Sequence, residues 1–256
     1  VVDKPFAVDA DHAQAVVDAA AAAKVPLTVF QNRRWDGDFL TLRRLIAEGS
    51  LGAITRYESR FERWRPMPKG GWREIGGDDE AGGLLYDLGA HLINQALVLF
   101  GPVSSVYCEM DRRRPGVTND DDTFVALTHA NGVRTQLWVS AYASNLAPRL
   151  RVLGDRAAYV KYGLDVLEAA LRGGERPDLV RDWGVEPATA WGELGTPDDV
   201  CPIATEPGAY QHFYAAVGAA LRGQGDQPVD PRDCVEGLRV IAAAQRSHRE
   251  RAVVSL

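Results

Sequence analysis

The sequence predicts an α/β fold in which one strand–helix–strand unit precedes a large, open and mostly antiparallel sheet. Two observations carry this prediction. Residues 1–30 follow the pattern of a strand end, a helix and a strand, which is the unit from which parallel sheets are built. Residues 103–161 contain short apolar runs separated by turn dipeptides, which is the spacing of antiparallel strands.

The opening segment predicts a strand end, a helix and a second strand. Asp9 and Asp11 are both plausible N-caps for a helix that extends to Lys24, and apolar residues recur behind them at helical spacing. Pro26 ends this helix, and the apolar run 27–30 predicts a short buried strand. A single unit of this kind leaves both edges of its sheet open. We therefore expect the sequence to begin within a larger architecture.

The next segment predicts a helix, a strand, a loop and a second helix. The helix covers 39–48, and Gly49 occupies the position that follows a helix C-terminus. Alternating apolar residues predict a strand over 54–65. Residues 67–83 are rich in Gly, Pro and acidic residues, which is typical of a surface loop, and a helix over 84–100 follows.

The second half of the chain predicts four or five strands between turn signals such as Asn131-Gly132. They lie around 103–110, 122–129, 133–142, 149–153 and 157–161. The segment 173–208 has weak periodicity and is predicted to be irregular. Two helices, about 208–222 and 231–247, and a short strand over 252–255 close the chain.

Charge and cysteine usage limit the classes of partner. The net charge of −6 argues against a nucleic-acid or anionic-membrane partner, because phosphate binding requires a clustered basic surface. The basic run 112–114 is interpreted as a solvated loop. No apolar run is long enough to cross a bilayer. The spacing of Cys108, Cys201 and Cys234 indicates neither disulfides nor zinc, so we expect a cytoplasmic protein without a metal.

A candidate acid–base pair lies between Gly82 and His91. Asp87 and His91 are four positions apart, so on an α-helix they would project from one face within reach of each other. The carboxylate could fix the imidazole tautomer while the imidazole accepts a hydroxyl proton. Gly82 and Gly83 would let a substrate approach the backbone. The spacing also suits a metal site or a helix-surface pair without function, and it leaves these alternatives open.

Lys4 is a second candidate. It precedes Pro5 at the carboxyl end of the first predicted strand, the sheet edge at which α/β proteins usually bind ligands. The spacing alone suits an ordinary surface lysine equally well. A hydrolase that uses Glu58 and Glu62 is disfavoured, because four strand positions separate two carboxylates by about 13 Å.

Several motifs occur in the order found in one enzyme family. They are Asp3-Lys4-Pro5-Phe6, residues 30–39, Trp72-Arg73-Glu74 and residues 86–92. Together they resemble the glucose–fructose oxidoreductase/inositol dehydrogenase/MocA (Gfo/Idh/MocA) family. Residues 160–165 and 207–210 resemble the branch that contains NADP-dependent scyllo-inositol 2-dehydrogenase.

The resemblance implies a fold and an activity. Residues 1–30 would be the remnant, the last β–α–β unit, of a Rossmann NAD(P)-binding domain. Residues 31–256 would form the substrate-binding and oligomerisation domain, whose open sheet is covered by helices on one face and makes a homodimer or homotetramer. The implied activity is NAD- or NADP-dependent hydride transfer at a hydroxyl or carbonyl of a small-molecule sugar or polyol.

The resemblance also implies site residues. His91 would be the general acid/base, Asp87 would orient the substrate or the ring, and Lys4 would assist proton transfer. The implied substrate-binding residues are Arg33, Trp72, Arg73, Asn94 and Tyr210. The implied cofactor-binding residues are Lys4, Pro5, Asn32 and Arg33.

Three departures qualify this resemblance. Asp3 stands where most of the family has Glu, and Asn94 stands where a second carboxylate is usual. No strand is followed by Gly-x-Gly-x-x-Gly, so we expect the pyrophosphate site to be missing from this sequence. The alternative is a truncated, non-catalytic module that oligomerises through its open sheet.

Overall fold

The computed structural model of the protein describes residues 1–76 and 80–256. The chain forms two compact units, each assembled from separate stretches of sequence. The first contains residues 1–31, 57–147 and 229–256, and the second contains residues 32–56 and 148–228. The sequence-based division at residue 31 stays a prediction.

The first unit begins with the predicted strand–helix–strand unit. Strand β1 (Val2–Asp3) pairs in parallel with β2 (Val29–Phe30), and helix α1 (Ala10–Ala22) connects them. The Asp9 side chain caps α1 by accepting a hydrogen bond from the backbone N–H of His12. The second strand is shorter than the predicted 27–30, because its partner β1 offers only two residues for pairing.

The long strands of the first unit form an antiparallel sheet. Its order is β3-β6-β5-β4-β11, where β3 (Ile54–Glu62) enters the unit at Tyr57. The other strands are β4 (Val103–Asp111), β5 (Asp122–His129), β6 (Arg134–Ser140) and β11 (Val254–Ser255). Every second residue of β5 is buried, as expected for a strand with one face on a core.

Helices cover part of this sheet. Helix α3 (Trp72–Ile75) is short, α4 (Ala90–Phe100) follows a π-helical turn over Leu85–Gly89, and α7 is the longest at Pro231–Glu250. Helix α7 packs against α1, α4 and β4. The predicted helix over 84–100 is therefore correct in extent but wrong in its first turn, which has wider hydrogen bonding than an α-helix.

The second unit contains the rest of the strands. Helix α2 (Gly37–Ala47) has the predicted position, and the strand order is β10-β9-β8-β7-β3. The strands are β7 (Leu150–Gly154), β8 (Ala158–Lys161), β9 (Gly192–Thr196) and β10 (Asp199–Ile203), and the remaining helices are α5 (Leu167–Arg172) and α6 (Tyr210–Leu221).

The prediction that 173–208 is irregular is wrong over β9 and β10, which form a hairpin. Pairing of β9 with β8 stabilises a segment of low intrinsic strand propensity. Gly192 lies against the ring of Tyr159, where a β-carbon would collide with the aromatic ring. The contact with Tyr159 thus requires glycine at position 192, although glycine by itself is unfavourable in a strand.

The described residues contain no helix that is both long enough and apolar enough to span a membrane. Over the same residues, no group of three or more His, Cys, Asp or Glu side chains is placed to hold a metal ion.

The predicted α/β class with a large, mostly antiparallel sheet is confirmed.

Candidate active site

The centre of the candidate site is an ion pair between Lys4 and Asp87. Lys4 directly follows β1, so it lies at the carboxyl edge of the parallel strand pair. Its Nζ lies 2.9 Å from Asp87 Oδ1 and also donates to the Asp87 carbonyl oxygen. The two side chains are only 13% and 24% exposed. Residues 83 positions apart are thus joined in a partly desolvated pair.

Two further cations act on the Asp87 carboxylate. Burial by itself raises the pKa of Asp87, but attraction by Lys4, Arg73 and Arg63 outweighs it and lowers the pKa below its usual value. Arg73 Nε lies 3.3 Å from Asp87 Oδ1. Asp87 is therefore an ionised carboxylate at neutral pH.

The predicted contact between Asp87 and His91 is not formed. Within the described residues, the Asp87 carboxylate pairs with Lys4 and Arg73 and has no hydrogen bond to the imidazole. Asp87 lies in the π-helical turn and His91 lies in α4. Because a π-helical turn contains more residues than an α-helical turn, residues four apart no longer project from the same face of the helix. His91 is buried, with its ring edge-on to Phe61 at a centroid distance of 6.4 Å.

Asn94 lies one turn after His91 and is also buried. It lines a cavity of about 10 Å³ together with Pro5, Gln31 and Cys234. A space of this size is at the lower limit for one water molecule. The structure therefore brings Pro5 and Asn94 together around a small space within the first unit.

A larger cavity opens beside the Lys4–Asp87 pair. Its volume is about 250 Å³, close to the lower end of the range for ligand pockets. The Arg73 guanidinium carbon lies 4.6 Å from the centroid of the Trp72 ring, and Trp72 is half exposed. Residues that line this cavity include Arg63, Arg65, Lys69, Trp72, Arg73 and Asp87. The structure thus places the predicted Trp72, Arg73 and Asp87 around one cavity.

Gly82 and Gly83 do not serve the access that the sequence suggested. The space over Gly82 is filled by Asn119, and the space over Gly83 is filled by Asp120. Gly83 has a φ of +89°, which favours glycine. The Leu84 backbone N–H donates to the Asp120 carbonyl oxygen and the Leu85 backbone N–H donates to the Asp120 carboxylate, so Gly83 allows the chain to turn closely around Asp120.

The interpretation of 112–114 as a solvated loop is wrong for Arg114. Arg112 and Arg113 are exposed, but Arg114 is buried. Its NH1 donates to Glu74 at 2.8 Å and its Nε donates to Asp121 at 2.9 Å. Three consecutive arginines carry no signal that distinguishes the buried one.

Arg63 was also missed as a residue of the cavity, although strand alternation places it on the same face as the buried Phe61.

The second unit contains the predicted residues Asn32, Arg33 and Tyr210. Arg33 is buried, donates to the Tyr210 hydroxyl at 2.8 Å and forms an ion pair with Glu168. The Tyr210 hydroxyl in turn donates to Asp36 at 2.6 Å. Burial raises the pKa of Asp36 above its usual value, although Arg33 opposes the shift. Arg33 and Tyr210 thus belong to one buried polar cluster.

Comparison with known proteins places this site in a family. A model described as the GFO/IDH/MocA C-terminal domain matches residues 39–160. The uncharacterized oxidoreductase YdgJ of Escherichia coli (strain K12) is 38% identical over 261 residues, a match that spans 100% of this chain and 73% of YdgJ. The chain belongs to the Gfo/Idh/MocA family of oxidoreductases.

Other Gfo/Idh/MocA relatives support the assignment. The scyllo-inositol 2-dehydrogenase (NADP(+)) IolW of Bacillus subtilis (strain 168) is 32% identical, with 100% of this chain and 72% of IolW covered. The structure of the oxidoreductase yvaA from Bacillus subtilis superposes with a TM-score of 0.93 at 32% identity, over 99% of this chain and 73% of yvaA. The YPO2259 oxidoreductase from Yersinia pestis gives a TM-score of 0.91 at 35% identity, over 100% and 72% of the two chains. The family recognised from the sequence motifs is confirmed.

Proposed function

We propose that this Gfo/Idh/MocA protein takes part in NADP- or NAD-dependent hydride transfer at a hydroxyl or carbonyl of a polyol or sugar similar to inositol. The observation that carries the proposal is the Lys4–Asp87 ion pair beside the cavity lined by Trp72 and Arg73. The similarity to IolW, named as a scyllo-inositol dehydrogenase, supports a cyclic polyol as the substrate.

The side chains in the first unit divide the work of binding and proton transfer. The ionised Asp87 accepts hydrogen bonds from substrate hydroxyls and holds the Lys4 ammonium in place. The half-exposed ring of Trp72 offers a flat apolar wall, and Arg73 offers N–H donors. Lys4 and His91 are the groups that we assign to moving the hydroxyl proton, because an imidazole exchanges protons near neutral pH.

The fit to a nicotinamide cofactor is partial. The cation at the carboxyl edge of β1 suits the reacting end of a dinucleotide. The pyrophosphate requires a cradle of backbone N–H groups, and no glycine directly follows β1 or β2, which continue into Lys4-Pro5 and Gln31-Asn32. When bound, the nicotinamide supplies the hydride acceptor or donor. In the first unit, Lys4 and Pro5 remain the proposed cofactor contacts. The cofactor-binding roles of Asn32 and Arg33 stay predictions from the family resemblance.

Cofactor titration is the direct test. Purified protein is titrated with NADPH and NADH while nicotinamide fluorescence is followed, and scyllo-inositol and related polyols are then added. We expect saturable binding and polyol-dependent turnover that His91→Ala reduces by roughly 100-fold or more, because a positioned acid/base contributes about that much. His12→Ala, at an exposed histidine of α1, is the matched control and should leave turnover unchanged. Absence of binding at millimolar concentrations of both cofactors would remove the proposed function.

Two further properties belong to this proposal. None of the three cysteines forms a disulfide, which fits a reducing compartment, and we assign the protein to the cytoplasm. We assign a homodimer or homotetramer to the face of the first unit's sheet that carries Phe124 and Trp138. Their rings lie 5.0 Å apart and are partly exposed, and Arg60 stacks on Trp138 at 3.9 Å. Partly exposed aromatic and arginine side chains are typical of protein interfaces.

A further inference from the structure

The turn that carries Trp72 and Arg73 is fastened by the residue that follows them. Glu74 Oε2 accepts hydrogen bonds from the backbone N–H groups of Lys69 and Gly70, each at 2.7 Å. The carboxylate therefore closes the turn on itself. This closure fixes the backbone on both sides of the two side chains that line the cavity.

The other oxygen of Glu74 is held by Arg114. Arg114 NH1 lies 2.8 Å from Glu74 Oε1, and Arg114 Nε lies 2.9 Å from Asp121 Oδ2. The Arg114 side chain is 4% exposed, Asp121 is 1% exposed and Glu74 is 17% exposed. A guanidinium fork of this kind holds two carboxylates in a fixed relative position. The turn is thus tied to Asp121, the residue that precedes β5.

Backbone contacts join the same turn to the segment that leads to Asp87. The Arg73 carbonyl accepts from the Gly83 backbone N–H at 2.8 Å and from Asn119 Nδ2 at 3.1 Å. The Glu74 carbonyl accepts from the Thr118 backbone N–H at 2.9 Å. These contacts hold the Arg73 backbone in the position from which Arg73 Nε lies 3.3 Å from Asp87 Oδ1.

We propose that Glu74 and Arg114 are positioning residues, which hold Trp72 and Arg73 at the cavity through their ion pair and so set the affinity for the polyol. The proposal rests on the proposed function. In the proposed reaction, neither residue transfers a proton or a hydride. The Glu74 carboxylate is occupied by Arg114 and two backbone N–H groups, and the Arg114 guanidinium is buried between carboxylates.

The main test is the kinetics of Glu74→Gln. The amide keeps the size of the side chain and an acceptor for the backbone N–H groups, but it loses the charge that pairs with Arg114. We expect the KM for the polyol to rise roughly tenfold, the effect of losing one charge-assisted hydrogen bond, with kcat within about twofold of wild type. Glu74→Asp, which retains the charge, should recover part of the loss.

Arg114→Lys tests the other partner, because lysine keeps the charge without the fork that spans two carboxylates. It should raise KM in the same direction as Glu74→Gln. Arg113→Lys is the matched control, since Arg113 is exposed and pairs with Asp111 and Asp122 outside this turn. It should change neither KM nor kcat. A fall in kcat or Tm in Glu74→Gln with an unchanged KM would overturn the proposal, and so would unchanged kinetics.

Hydrogen exchange separates this proposal from the proposed function. In Glu74→Gln, backbone N–H groups of residues 69–76, 83 and 118 should exchange faster, with unchanged exchange in β4 and β6. Faster local exchange in Glu74→Gln, together with a wild-type protein that has no turnover, would remove the proposed function and leave the positioning contact in place. Unchanged exchange in these segments would overturn the positioning role whether or not turnover is seen.

Discussion

At the residue scale, the state of Asp87 is decided by competition between burial and three cations. Burial disfavours the charged carboxylate, and Lys4, Arg73 and Arg63 favour it. The net effect is a pKa below the usual value, so the ionised form is present above that pKa and is lost as pH falls through it. The three cations therefore stabilise the ionised carboxylate, which acts only as a hydrogen-bond acceptor.

Lys4→Met is expected to affect both turnover and its pH dependence. Loss of a proton-transfer partner should lower kcat/KM by roughly 100-fold. Loss of the nearest cation should also raise the pKa of Asp87, which moves the acid limb of the pH–rate profile to higher pH. Lys24→Met, at an exposed lysine after α1, should change neither property. An acid limb at the wild-type position in Lys4→Met would show that Asp87 does not control it.

Motif matching found Lys4, Trp72, Arg73 and Asp87 from the sequence, and the structure gathers these four in the first unit. Motif matching could not find Arg114, because the burial of Arg114 depends on Glu74, a residue 40 positions away in a loop without periodicity. The lack of a hydrogen bond between the Asp87 carboxylate and the His91 imidazole was missed for a different reason. The composition of the π-helical turn does not differ from that of an ordinary helix start.

At the element scale, the π-helical turn depends on how the chain enters it. Gly83 has a positive φ and lies directly against Asp120, which accepts from the Leu85 backbone N–H at 2.8 Å. Burial raises the pKa of Asp120, although its hydrogen bonds from Thr123 and Leu85 oppose the shift. The Asp120 carboxylate therefore holds the first turn by accepting from a backbone N–H, as Asp9 does at the start of α1.

Gly83→Ala tests this entry. A positive φ alone costs about 1 kcal/mol for alanine, and collision with Asp120 adds to that cost. We expect a loss of unfolding free energy well above that of Gly116→Ala. Gly116 has a comparable φ of +76° with open space around it. Gly116→Ala therefore measures the cost of the positive φ alone. Urea denaturation of both variants gives the comparison, and equal losses would show that Asp120 does not constrain the turn.

At the scale of the whole molecule, fold class and element order followed from periodicity and turn residues. The helices α1, α2 and α7 and the strands β4 to β8 occur close to the predicted positions. The β9–β10 hairpin did not, because its strands are specified by neighbours such as Tyr159 rather than by their own sequence. Pairing between strands that are distant in the sequence is the part of a fold that local sequence patterns predict least well.

The proposed assembly gives a prediction at the same scale. Trp138→Glu places a charge on the sheet face that carries the stacked Phe124 and Trp138 rings. We expect light scattering after size exclusion to show a dimer or tetramer for wild type and a shift to monomer for Trp138→Glu. Leu179→Glu, at an exposed apolar residue of the second unit, is the control and should assemble as wild type does. A wild type that is monomeric at all concentrations would contradict the assignment.

The discontinuous first unit has a consequence for synthesis on the ribosome. Helix α1 packs against α7, and the Thr28 hydroxyl donates to the Val229 carbonyl, 201 positions later. The contacts between α1 and α7 cannot form until α7 has been translated. Contacts of such sequence separation slow folding. The face of nascent α1 that contains Ala13 therefore lacks its packing partner until α7 has been synthesised.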